Sequence, residues 1–175
     1  MIARVLRLAL VVSLLGASAA PVALPAPVQH QQAMAALDAG VLSRLNAIRA
    51  AHGLKPLHLS AGLTAAAAFH TRELAADGYF AHDSSDGTAF WKRIQRWYAP
   101  GATGSWAVGE NLLWSSPDVD AAGALDAWMH SPEHRANILD PSWRDVGVAA
   151  THVDHAGGVY HGRPVTIITT DFGAR

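Results

Sequence analysis

The sequence predicts an α+β domain with a mostly antiparallel sheet, and three observations carry that reading. Apolar residues recur at helical spacing through the first two thirds of the chain. The last third changes to strand-like alternation and a β-branched run, and helices first with strands last is the α+β order. Half of the 175 residues are apolar and 15% are charged, enough for one packed core and too apolar for a disordered chain.

The elements follow in order. Val41, Leu42, Leu45 and Ile48 recur at helical spacing, and Gly53 is a natural stop. Pro56 to Leu59 is an extended link. Ser60 can cap a second helix over Ala61 to Ala76, with Leu63, Ala67, His70 and Leu74 on one side and Gly78 ending it. After the loop Tyr79 to Gly87, Thr88 is expected to cap a third helix through Phe90, Ile94 and Trp97. Pro100, Gly101 and Gly104 mark a loop, and Val108 to Trp114 is a short apolar stretch around Glu110. Ser116-Pro117 is expected to open a helix, with Pro117 at its first position, that runs through Leu125 and Trp128. Ser131-Pro132 then starts a short turn holding His134, Arg135 and Ile138. Asp145 to Val153 alternates as a strand does, Asp154 to Gly158 is a turn, and Val165 to Thr170 is apolar on both faces, as a covered central strand would be.

The N-terminus predicts export. Arg4 and Arg7 precede the apolar run Leu8 to Leu15, and Ala17-Ser18-Ala19 fits the small-x-small cleavage pattern. The run is too short to span a bilayer. The expected organisation is therefore a signal peptide over 1–19, a flexible Pro/Gln-rich leader over 20–36, and a folded domain over 37–175. Pro21, Pro25 and Pro27 make residues 20–33 read as non-helical. The mature chain is expected to be secreted or periplasmic, with no membrane span once the signal is removed.

Charge and cysteine content exclude several functions. Thirteen basic and 14 acidic residues leave a formal charge of −1, without the excess that phosphate attraction needs, so no nucleic-acid partner is expected. With no cysteine, disulfide scaffolds, thiol catalysis and Cys-based metal sites are absent. There is no Gly-x-Ser-x-Gly and no His-Glu-x-x-His.

Three positions place a metal-competent side chain among apolar or aromatic neighbours: His82 in Gly78-Tyr79-Phe80-Ala81-His82, Glu110 in Val108-Gly109-Glu110-Asn111-Leu112, and His134 in Ser131-Pro132-Glu133-His134-Arg135. Two imidazoles and a carboxylate suffice for a divalent metal, zinc above all, with an open position. The same trio could move protons, with Glu110 as the candidate base. Single members of such a set also serve as structural groups that satisfy buried backbone. Arg135, next to His134, is expected to point away and pair with Asp145. His152, His155 and His161 surround the late turn and read as solvated.

Taken in order, these segments resemble the CAP superfamily (cysteine-rich secretory proteins, antigen 5, pathogenesis-related 1) in a cysteine-free bacterial form. The resemblance runs over residues 38–173. It is carried by Leu45-Asn46-Ala47-Ile48-Arg49, Gly53 to Leu57, Leu63 to Ala68 with His70, Tyr79-Phe80-Ala81-His82, and Gly109-Glu110-Asn111-Leu112. It continues in Trp128 to Leu139, Asp145-Val146-Gly147-Val148 and Thr170-Asp171-Phe172-Gly173. It implies a three-layer α-β-α sandwich around a small, mostly antiparallel sheet, and a cleft onto which His82, Glu110 and His134 map. The fourth, acidic member of eukaryotic relatives has no match after Trp128. The expected function is a non-enzymatic binding module for a divalent metal, or for a lipid, sterol or cell-wall glycan. The alternatives are a metal-dependent hydrolase using Glu110, and a structural envelope or stress protein with a vestigial cleft.

Overall fold

The computed structural model describes residues 25–102 and 104–175. The expected signal peptide, residues 1–19, and the first residues of the leader lie outside the described residues. None of the described helices is long and apolar enough to cross a membrane.

Helix α1 spans Ala26–Ala51, and the non-helical leader expected over 20–33 is corrected from residue 26 onward. The physical reason is position. Pro25 is the N-cap and Pro27 lies in the first turn, where a backbone N–H has no helical acceptor to lose. The helix turns Val41, Leu45 and Arg49 inward. Strand β1 (His58–Leu59) is short, and α2 spans Ala61–Asp77. Ser60 accepts a hydrogen bond from the Leu63 N–H, and Gly78 closes α2 with φ of 68°, the left-handed conformation glycine adopts without strain.

Helix α3 spans only Phe90–Gln95. Thr88 does not cap it; the Asp83 carboxylate takes the Phe90 N–H at 3.0 Å. Strand β2 spans Ala107–Ser115, and α4 spans Ala121–His130. The expected start at Pro117 is also corrected: Asp120 accepts the Gly123 N–H at 2.8 Å, so the helix begins where that acceptor stands. The turn expected after Ser131 is an eight-residue helix, α5 (Pro132–Leu139). Strands β3 (Asp145–Ala156) and β4 (Arg163–Ala174) form a hairpin through a bulge after Val153 and one 3₁₀ turn.

The four strands lie in the order β1-β3-β4-β2, parallel only between β1 and β3. One face carries Val146, Val148, Ile168 and Phe172, packed with Val41 and Leu45 of α1, Trp128 of α4 and Ile138 of α5. The other face packs on α2 and α3. There Gly147 is obligatory: a Cβ on it would lie 2.1 Å from the Leu63 carbonyl carbon and 2.2 Å from the Thr64 nitrogen. The helices and sheet thus make an α-β-α sandwich.

Strand β2 is an edge, and side chains guard its backbone. Trp128 Nε1 donates to the Leu112 carbonyl at 3.0 Å, and Asn137 Nδ2 donates to the Glu110 carbonyl at 3.1 Å. Asn111 Nδ2 in turn donates to the His134 carbonyl at 3.1 Å, tying α5 to the same edge. These bonds use carbonyls that a foreign strand would otherwise find free.

Candidate functional site: a guarded carboxylate beside a cleft

Glu110 lies in the middle of β2, and its side chain faces α2 and α3, 4% exposed. Residues at both ends of the loop that connects those helices converge on it. His82, on the loop, brings Nδ1 to 2.8 Å from Glu110 Oε1. Arg93, fully buried on α3, donates from Nη2 to Glu110 Oε2 and from Nη1 to the His82 carbonyl at 2.7 Å. Arg93 thus holds the carboxylate and the backbone of its imidazole partner together. His70, buried on α2, places Nε2 at 4.0 Å from Glu110 Oε1. Its ring nitrogens also face the Ala81 carbonyl at 3.0 Å and Glu73 at 3.1 Å. Above this cluster is a cleft of about 250 Å³ lined by His82, Phe90, Val108, Gly109, Glu110 and Asn137.

His134 takes a different place. It is the third residue of α5, half-buried, with its carbonyl bound by Asn111. The structure therefore brings His82 and Glu110 into contact, while His134 is reached only through space. The two imidazoles titrate in opposite directions. The hydrogen bond to Glu110 raises the His82 pKa from its ordinary value. Burial lowers that of His134, and the charge of His82 lowers it further. Burial likewise lowers His70. Burial works to raise Glu73, but its hydrogen bonds with His70 and Ser85 outweigh it and hold Glu73 low.

This donor set does not fit a three-ligand metal shell. Both Glu110 oxygens already face cationic or N–H donors, and among the described residues no three His, Asp or Glu side chains are grouped to hold an ion. The same pairing engages both Glu110 oxygens. His82 keeps its second ring nitrogen and is half-exposed at the cleft.

Two further expectations change. Asp145 accepts a hydrogen bond from the Tyr98 hydroxyl at 2.7 Å, and Arg135 is exposed, so the expected Arg135–Asp145 pair gives way to Tyr98–Asp145. The structural arginines are instead Arg93 and Arg49, whose Nη1 donates to the Ile138 and Asp140 carbonyls at 2.7 and 2.9 Å. Sequence reasoning also missed Asp171, which stands directly opposite Glu110 in the β2–β4 register and is fully buried. The available signal was a lone carboxylate continuing a strand that is apolar on both faces.

Comparison with known proteins agrees with this architecture. The family model described as "Cysteine-rich secretory protein family" matches residues 42–168. Two Bacillus subtilis (strain 168) proteins are related: the uncharacterized membrane protein YlbC, 27% identical over 108 residues, and the uncharacterized protein YkwD, 28% identical over 115 residues. The matched segments cover 62% and 66% of this chain but only 30% and 42% of those proteins, so the chain corresponds to less than half of either. The crystal structure of an extracellular SCP-domain protein from Bacillus anthracis superposes with a TM-score of 0.67 at 24% identity, covering 90% of this chain and 45% of that one. At that identity the likeness establishes the fold.

Proposed function

This chain belongs to the cysteine-rich secretory protein (CAP) family, and within that membership we propose that it is an exported, non-enzymatic binding protein whose ligand lies in the cleft at the β2 edge. The observation that carries the reading is the state of Glu110. A general base needs a carboxylate free to take a proton in the reacting complex. Glu110 is buried and bound by Arg93 on one oxygen and His82 on the other, which makes it a support for His82. The cleft lining combines the imidazole of His82, the ring of Phe90 and the amide of Asn137. That mixture of an aromatic face and hydrogen-bonding groups suits a hydroxyl-rich ligand, and a cell-wall glycan is the class we assign. No metal step belongs to this reading.

Calorimetric titration with soluble glycan fragments released from cell walls tests it. Wild type binds, and His82→Ala weakens binding by about tenfold, the value of one hydrogen bond to a charged group. No binding, or equal binding by both proteins, overturns the assignment. Release of reducing ends by wild type, lost in Glu110→Gln, would establish hydrolysis in its place.

A second reading has its own observation. A groove of about 450 Å³ between α1 and α4 is walled by Ala47, Ile48, Ala51, Leu125 and Met129, with Arg44 and Asp126 on its lining. Its apolar wall suits an acyl chain, which is the lipid alternative.

A further inference from the structure

We propose that Asp171 is a positioning residue kept as the neutral carboxylic acid, which donates a hydrogen bond to Glu110 and so fixes the carboxylate that holds His82. Glu110 and Asp171 are directly paired across β2 and β4, which puts two carboxyl groups side by side on one face of the sheet. Asp171 is fully buried, and neither of its oxygens receives a hydrogen bond from any donor among the described residues. An ionised carboxylate in that position would carry a full charge with no donor to satisfy it. A protonated one has a donor of its own, and its acceptor is the neighbouring carboxylate.

The cations nearby bond other groups, and the buried donor that Arg93 leaves over, its Nε, bonds neither Asp171 oxygen. From α3, Arg93 directs one terminal nitrogen to Glu110 and the other to the His82 carbonyl. From α2, His70 is matched with Glu73 on its own helix. From the loop, His82 turns its Nδ1 to Glu110. On the other flank, β3 sets Gly147 opposite Asp171 and offers no charge. One guanidinium therefore faces two carboxyl groups, and the one it bonds is Glu110. Glu110 is then the ionised member and Asp171 the acid. Burial and the neighbouring Glu110 charge both act to raise the Asp171 pKa well above the ordinary carboxylate range, with Arg93 opposing. The role assigned to His82 rests on the binding reading above, but the protonation state of Asp171 does not.

The test compares three forms of the full chain: wild type, Asp171→Asn and Asp171→Ala. Infrared difference spectroscopy of wild type at pH 7 should show the carbonyl stretch of one buried protonated carboxyl, and Asp171→Asn should lose it. In Asp171→Asn the amide N–H replaces the acid proton, so the NMR titration of the His82 ring should match wild type. In Asp171→Ala, with the Asp171 donor to Glu110 removed and only Arg93 and His82 left to hold the carboxylate, that titration should shift. A purely structural Asp171 would leave the His82 curve unmoved in both variants, which would overturn the positioning role. Absence of the carboxyl band in wild type would overturn the proposal outright, whether or not either variant folds. Failure of the glycan to bind would leave the band in place, so the two readings fail separately.

Discussion

At the scale of single residues, His82 and His134 differ because their neighbours differ. His82 touches a carboxylate, which favours its charged form; His134 is half-buried and feels the His82 charge, which favours its neutral form. We expect ring NMR titrations to place His82 above and His134 below the ordinary histidine value of about 6.5. Glu110→Gln should lower His82 toward that value and raise His134, since a less cationic His82 repels it less. Two overlapping curves in wild type would contradict the Glu110–His82 contact. The sign for stability follows from linkage. Because the His82 pKa is raised on folding, its contribution is fully present below the unfolded value and is lost as pH rises through the folded one. The residue identities of this pair were legible in sequence, since each stands as a polar group among apolar ones. Their contact was not, because 28 residues of chain separate them and only the α3 placement of Arg93 draws the loop onto β2.

Whole elements were read best where a local signal acts alone. Helix α2 carries its start in Ser60 and its end in Gly78, and both act within a few residues. Prolines were harder, because the same residue starts a helix in its first turn and breaks one in its interior. Pro27 does the former. At Ser116-Pro117 the competing signal was Asp120, whose carboxylate satisfies the first turn of α4. The packing of α2 on β3 is a tertiary constraint with a sharp consequence. Gly147 meets the α2 backbone, which has no flexible end to move aside. Gly147→Ala should therefore cost more than about 3 kcal/mol, the range of severe core overpacking. Gly157→Ala is the matched control: its φ is −76° and no atom lies within 4 Å of its would-be Cβ, so it should stay within about 0.5 kcal/mol of wild type. Chemical denaturation of the two variants makes the comparison, and similar midpoints would show that α2 does not sit as close to the sheet as the structure places it.

For the whole molecule, the sandwich gathers its buried carboxyl groups in one layer, while the buried Arg49 on the α1 side bonds backbone carbonyls. The α1, α4 and α5 side of the sheet is a continuous apolar cluster, while the α2 and α3 side holds Arg93, Glu110, His70 and Asp171 between apolar patches. Part of the domain's pH dependence should therefore trace to that layer, beside the contribution of Asp38 on α1, whose pKa burial raises to about 6. Asp171 has a folded pKa well above its ordinary 3.8. Between the two values the folded state binds a proton that the unfolded state has released, so stability falls as pH rises through that window. The slope for one such group is at most about 1.4 kcal/mol per pH unit. Asparagine cannot ionise in either state, so Asp171→Asn removes this slope while leaving the other titrating groups to cancel in the comparison. The expected outcome is that the stability of Asp171→Asn relative to wild type climbs steadily as pH is raised from about 4 toward neutrality. Guanidinium denaturation of both proteins across that range measures the difference. A constant gap would mean that Asp171 has the same pKa folded and unfolded. A gap closing in the opposite direction would mean that Arg93 holds it ionised, and the buried layer would then be a three-charge ion network in which Arg93 serves both acids.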